Sequence, residues 1–194
     1  PRRTRVITDA GPTRSDPRIW WLLLGVGLAA TIFRGAYEQI GNTLPLWIDS
    51  RVDRVVGGFL VPMTWFQSLN PLLVIAITPV LLAQCRRRAD QGRESSPARR
   101  MAIGALIVAV AYVLLAGLAA GAGQMLVNGL WLVAFFMILT LGELYILPTG
   151  LGLFARLAPP RLGATTVASW FLTVFSGSLL AGLVGTLWSR TSHA

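Results

Sequence analysis

The chain has no lysine, one cysteine and one histidine among its 194 residues, and only 13% of them are charged. A soluble domain carries about 25% charge, so most of this surface is not made for water. Cys85 stands alone, so no disulfide can close within the chain, and it reads as filler at a helix end. His193 is the second-last residue of the sequence. That leaves no metal-ligand cluster and no nucleophile–base pair, and no glycine loop is placed to cradle a phosphate. The residues therefore predict neither an enzyme nor a bound metal or cofactor.

What the sequence has instead is apolar length. Apolar residues make up 54% of it and mean hydropathy is +0.63. A bilayer crossing needs about 20 mostly apolar residues, and five stretches qualify: 19–47, 59–85, 101–123, 130–155 and 163–188. The third carries no charge at all. Unpaired strands are excluded at that depth, because their backbone groups would face lipid. The expected fold class is an all-α membrane protein of about five transmembrane helices.

Arginine supplies all 17 basic residues, against 8 acids, giving a net charge of +9. Thirteen of them fall before the first span, between the second and third, or between the fourth and fifth. The positive-inside rule then puts the N-terminus in the cytoplasm. Residues 1–18 read as a polar cytoplasmic linker and 19–190 as the bundle, with a cytoplasmic loop over 86–100. That loop, RRRADQGRESSPARR, reads as solvated and not as a nucleic-acid-binding element. The chain opens at Pro1 and reads as a piece of something larger. Arginine without lysine points to a GC-rich bacterial genome, hence a bacterial plasma membrane.

Several spans are irregular. Pro71 and Pro79 lie in the second and Pro148 in the fourth. A helical proline removes a donor and frees a carbonyl, which in a membrane needs a partner or a wet cavity. In the fifth span Thr166, Ser169, Thr173 and Ser176 share one face. They serve either inter-helix hydrogen bonds or a cavity wall. Gly177, Ala181 and Gly185 recur every fourth residue and predict close helix packing. Trp20, Trp21, Trp47, Trp131 and Trp188 fall near span ends, as interfacial belts do. Trp65 and Trp170 lie beside polar residues and are candidates for a gate or pocket wall.

Three charges sit inside spans: Arg34 and Glu38 in the first, Glu143 in the fourth. An acid at the bilayer centre costs about 2.5–3.5 kcal/mol on the lenient insertion scale. A chain retains one where it is paired, meets water or binds something. Arg34 and Glu38 are four apart and can pair on one helix face. Gln67 shares a face with Asn70, and Thr140 with Glu143. Glu143 has no cation in its own helix. Its partner is Arg34, another segment, a proton or a ligand. A carboxyl moved between such surroundings changes its hold on a proton, which can couple proton movement to binding of an ammonium group.

Four motifs occur in order: FRGAYEQIGNTLPLW (33–47), PMTWFQSLNPLLVIAITP (62–79), LGELYILPTGLGLFARLAPP (141–160) and SWFLTVFSGSLLAG (169–182). Together they resemble the C-terminal half of the proton-dependent oligopeptide transporters of the major facilitator superfamily, from about Ile19 onward. The resemblance implies that the five spans are helices seven to eleven of twelve, with an N-terminal six-helix half and the last helix outside this chain. It implies import of di- and tripeptides with protons, by alternating access around a midplane cavity. Protons are then the coupling ion, and the partners are small peptides, the bilayer and the N-terminal half. By that resemblance Glu143 and Asn70 hold the peptide's amino terminus, Trp170 walls the pocket, and Gln39 and Trp65 occupy motif positions at the substrate site. Glu38, with Glu143, belongs to the gating and proton-coupling network. Arg34 stands where many members have an aromatic residue, and pairing with Glu38 would alter gating. Ser178 stands where many have Asn. A related transporter of another solute, or a transport-inactive membrane fragment, remains the alternative. Alone, with half of the cavity wall elsewhere, the chain is not expected to transport.

Overall fold

Five helical spans, each long and apolar enough to cross a membrane, pack into one bundle in the computed structural model. It describes residues 17–92, 95–123, 125–158 and 162–191, without the side chains of 188–191. The linker over 1–16, together with Arg93, Arg161 and His193, lies outside the described residues, as do the side chains of Trp188 and Arg190.

The first span, Pro17–Arg51, is not one helix. Helix α1 (Pro17–Tyr37) passes into a 3₁₀ turn (Glu38–Ile40), and α2 (Thr43–Arg51) then completes the crossing. Gly41 and Asn42 are poor helix formers, and Pro45 lacks the N–H that a continuing helix would use. The Gly41 amide instead closes on the Glu38 carbonyl at 3.1 Å. The break matters because it sits beside Arg34 and Glu38.

Helix α3 (Met63–Asp90) runs unbroken through Pro71 and Pro79. It includes Arg86, Arg87 and Arg88, so the loop expected over 86–100 is shorter. Arginine is a good helix former, and cations near a helix C-terminus meet the negative end of its dipole. Helix α4 (Pro97–Ala122) also begins inside the expected loop. The Ser96 hydroxyl accepts the Arg99 amide at 3.3 Å, and Pro97 occupies a first-turn position where its missing N–H costs nothing.

Helices α5 (Leu130–Leu157) and α6 (Gly163–Thr191) complete the bundle. Of the most apolar stretch of α5, 44% is buried, against 11–22% for the other spans. It is therefore the axis. Leu132, Phe135, Phe136, Leu139 and Thr140 on it are almost wholly buried. Close approach depends on glycine. A Cβ on Gly104 of α4 would stand 2.9 Å from the Gly142 carbonyl oxygen, and one on Gly142 would stand 2.5 Å from Val108. A Cβ on Gly177 of α6 would stand 2.5 Å from the Arg34 Cβ. The small-residue ladder of α6 thus packs against α1.

Four two-residue strands, unforeseen in the sequence, lie in the connections. β1 (Val52–Asp53) pairs in parallel with β4 (Val127–Asn128), tying two loops at one end of the bundle. β2 (Val55–Val56) and β3 (Phe59–Leu60) form a hairpin. Its turn, Gly57–Gly58, has φ of +58° and +84°, the conformation that two-residue hairpins favour and glycine adopts freely.

One packing contact makes a sharp prediction. The far edge of the Trp170 ring of α6 lies against Gly150 of α5, where a Cβ would collide with it. Gly152, two residues further, has nothing within 4 Å of a Cβ. Gly150→Ala should destabilise the complete protein by about 1–3 kcal/mol through overpacking, while Gly152→Ala should cost nothing. Thermal melts of the two variants in detergent check this, and equal melting temperatures would refute the close packing.

Candidate functional site

Three helices converge on Asn70, which is 8% exposed. Its Nδ2 donates to the Tyr37 hydroxyl at 2.6 Å and to Oε2 of Glu143 at 3.3 Å. Its Oδ1 accepts from the Thr140 hydroxyl at 2.6 Å. Asn70 comes from α3, Tyr37 from the end of α1, and Thr140 and Glu143 from neighbouring turns of α5. Thr140 is fully buried and Glu143 half-buried. Thr140 and Glu143 reach the same partner because three residues along a helix return to one face. A buried asparagine with its amide so engaged holds one orientation, and it fixes the carboxylate beside it.

Arg34 and Glu38 form an ion pair along the end of α1. The Ser178 hydroxyl of α6 donates to Oε1 of Glu38 at 3.2 Å. The Arg34 guanidinium lies over the Tyr37 ring, 5.1 Å from its centroid, a favourable cation–π placement. Its Nε is buried and, among the described residues, has no hydrogen-bond partner. Arg34 is also close enough to act electrostatically on Glu143, although among the described residues Glu143 makes no direct ion pair. One guanidinium thus stands between two carboxylates, and Tyr37 links the halves. An arrangement with one more carboxylate than cation suits a second cation.

The other residues singled out in the sequence are placed differently. The Gln39 amide donates to the backbone oxygens of Gly35 and Ala181, both at 3.3 Å, and accepts from Thr43 at 3.0 Å. It clasps the α1 break to α6. Trp170 is 4% exposed and packs edge-on against Phe154, ring centroids 5.4 Å apart. Trp65 lies at the start of α3, 60% exposed, its ring 6.0 Å from Phe59 of the hairpin. Both tryptophans are outside the Asn70 network. Thr166, Ser169, Thr173 and Ser176 all line a groove of about 510 Å³ between α1 and α6. Thr166 donates to the Leu162 carbonyl just before α6 and the other three to carbonyls within α6, and the inter-helix bond there comes from Thr31 to the Thr173 carbonyl at 3.2 Å.

Tyr37 was not singled out in the sequence, nor was Ser178 given a role. Both had a signal. Tyr37 is three residues after Arg34, the spacing that lays a cation over a ring, and Ser178 lies one helical turn after Val174 on a face rich in small residues. The Tyr112 hydroxyl of α4, also unforeseen, donates to the Ala36 carbonyl and braces the same end of α1.

Residues 15–194 match the sequence profile of the POT family, PTR2. The peptide transporter YePEPT of Yersinia enterocolitica is 35% identical over 81% of the chain and 32% of its own length. A dipeptide and tripeptide permease A of Chromobacterium violaceum is 33% identical over 82% of the chain and 32% of its own length. Among solved structures, a mutant of a peptide transporter POT with bound sulfate superimposes with a TM-score of 0.84 at 26% identity, covering 91% of this chain and 35% of that one. A POT family transporter in complex with 5-aminolevulinic acid gives 0.76 at 25% identity, covering 89% and 35%. The chain spans about one third of the length of the curated relatives it matches.

Proposed function

The chain belongs to the POT family of transporters, and from that premise we propose that the complete protein imports di- and tripeptides with protons, this chain supplying its C-terminal half. The observation that carries the reading is the three-helix network of Asn70, Tyr37, Thr140 and Glu143. It presents a carboxylate held in place at the level where the spans converge. A peptide's ammonium group is the complement of that carboxylate, with Asn70 as a neutral neighbour. Glu38 is the second acid, tied down by Arg34 and Ser178.

In this mechanism the peptide ammonium docks at Glu143. Protonation of Glu38 or Glu143 releases pairs that otherwise hold this bundle against the N-terminal half, which permits rocking between outward- and inward-open states. Gln39, Trp65 and Trp170 serve the substrate site through support of its walls. The arginine-rich end faces the cytoplasm of a bacterial plasma membrane, and protons are the coupling ion. Names borne by relatives support peptides as the solute. A neighbour's complex with 5-aminolevulinic acid favours a second reading, a smaller solute that also carries a primary amine.

The test is uptake of labelled dialanine by the complete protein in proteoliposomes, with and without an inward proton gradient. Gradient-driven uptake blocked by unlabelled dipeptide is the expected result. Gradient-driven uptake of labelled 5-aminolevulinic acid with none of dialanine would favour the second reading. No uptake of either by correctly folded protein would overturn both.

A further inference from the structure

We propose that the cleft between the start of α4 and the end of α5 binds the phosphate-bearing headgroup of an anionic phospholipid. This cleft, of about 350 Å³, is distinct from the Asn70 network and is lined by Arg100, Arg156, Ser95, Thr149 and Gly152 among others. Two guanidinium groups on one cleft, with two hydroxyls beside them, are the donor set that recognises a phosphate. Among the described residues neither arginine has an ion-pair partner.

The position selects a lipid over a soluble anion. α4 begins and α5 ends at the arginine-rich end of the bundle, where their apolar spans leave off. A phosphate held in this cleft can carry its acyl chains down beside the apolar spans, and basic pockets between helices at that level take such headgroups.

Native mass spectrometry of the complete protein, incubated with phosphatidylglycerol or phosphatidylcholine, tests this independently of transport. Phosphatidylglycerol should be retained about tenfold better than phosphatidylcholine. Arg100→Gln with Arg156→Gln should abolish that preference. Gly152→Leu should abolish it too, since nothing lies within 4 Å of a Cβ there and the added side chain fills the cleft while the charges stay. An unchanged melting temperature for Gly152→Leu shows that the fold survives. Arg86→Gln with Arg87→Gln, on α3 and away from the cleft, should leave the preference intact. Unchanged preference in both cleft variants, or equal loss in the α3 variant, would overturn the site. Displacement of the lipid by inorganic phosphate alone would overturn the assignment to a lipid.

Discussion

Replacing Glu143 by Gln in the complete protein should lower proton-driven dialanine uptake by about 10-fold to 100-fold. The substitution removes a charge and little else. Gln keeps an oxygen that can accept from Asn70, so the 2.6 Å bonds from Asn70 to Tyr37 and from Thr140 to Asn70 have no reason to change. The melting temperature should stay close to that of the unaltered protein. What is lost is a charge-assisted hydrogen bond to the peptide ammonium, worth about 1.5–3 kcal/mol, and a group that can take up a proton. Exchange of labelled for unlabelled dialanine, which needs no gradient, separates the two. If Glu143 binds the ammonium, exchange falls with uptake. If it only carries a proton, exchange survives. Uptake at the unaltered level under a gradient would remove Glu143 from the mechanism altogether.

The parts of this site that were legible in the sequence were those where polarity is expensive. Glu143, Asn70, Thr140, Arg34 and Glu38 stand out because nothing polar belongs in an apolar span without a reason. The five spans were legible for the same reason, by length and hydropathy. What stayed hidden was orientation. In a soluble helix the apolar stripe marks the core, but in a membrane the lipid-facing side is apolar too. Trp170 and Phe171 are neighbours of similar character, yet one is 4% and the other 60% exposed. No periodicity of hydrophobicity distinguishes them. Small residues did better: Gly177 and Ala181 marked the buried face of α6, because only close packing makes use of a missing side chain. The break in the first span was announced by Gly41, Asn42 and Pro45 and overridden by the length of the apolar run. Tyr37 was overlooked because an aromatic residue in such a run looks like packing. Its hydroxyl acquires meaning only once α3 brings Asn70 against it.

Breaking the Arg34–Glu38 pair should cost more from one side than from the other. The side chains are 24% and 29% exposed, so the pair is neither fully desolvated nor free in water. Removing one partner of a buried pair leaves an uncompensated charge, but the two charges left behind are not equivalent. In Arg34→Leu the stranded Glu38 can take a proton and become neutral, and Ser178 still donates to it. In Glu38→Gln the stranded guanidinium cannot lose its charge, and its Nε already lacks a partner. Its contact with the Tyr37 ring recovers only part of the loss. We expect Glu38→Gln to destabilise the complete protein by about 2 kcal/mol and Arg34→Leu by about half as much. The double variant should be more stable than Glu38→Gln alone, since leucine with glutamine strands neither charge of this pair. Thermal melts of the four proteins in one detergent measure the coupling. A larger loss for Arg34→Leu, or additive losses in the double variant, would show that the pair does not hold the α1 break. The asymmetry also bears on gating. If Arg34 satisfies Glu38 within this bundle, then Glu38 is less available to cations across the cavity. Arg34→Leu should then shift the complete protein towards stronger inter-bundle pairing, seen as slower exchange at unchanged peptide affinity.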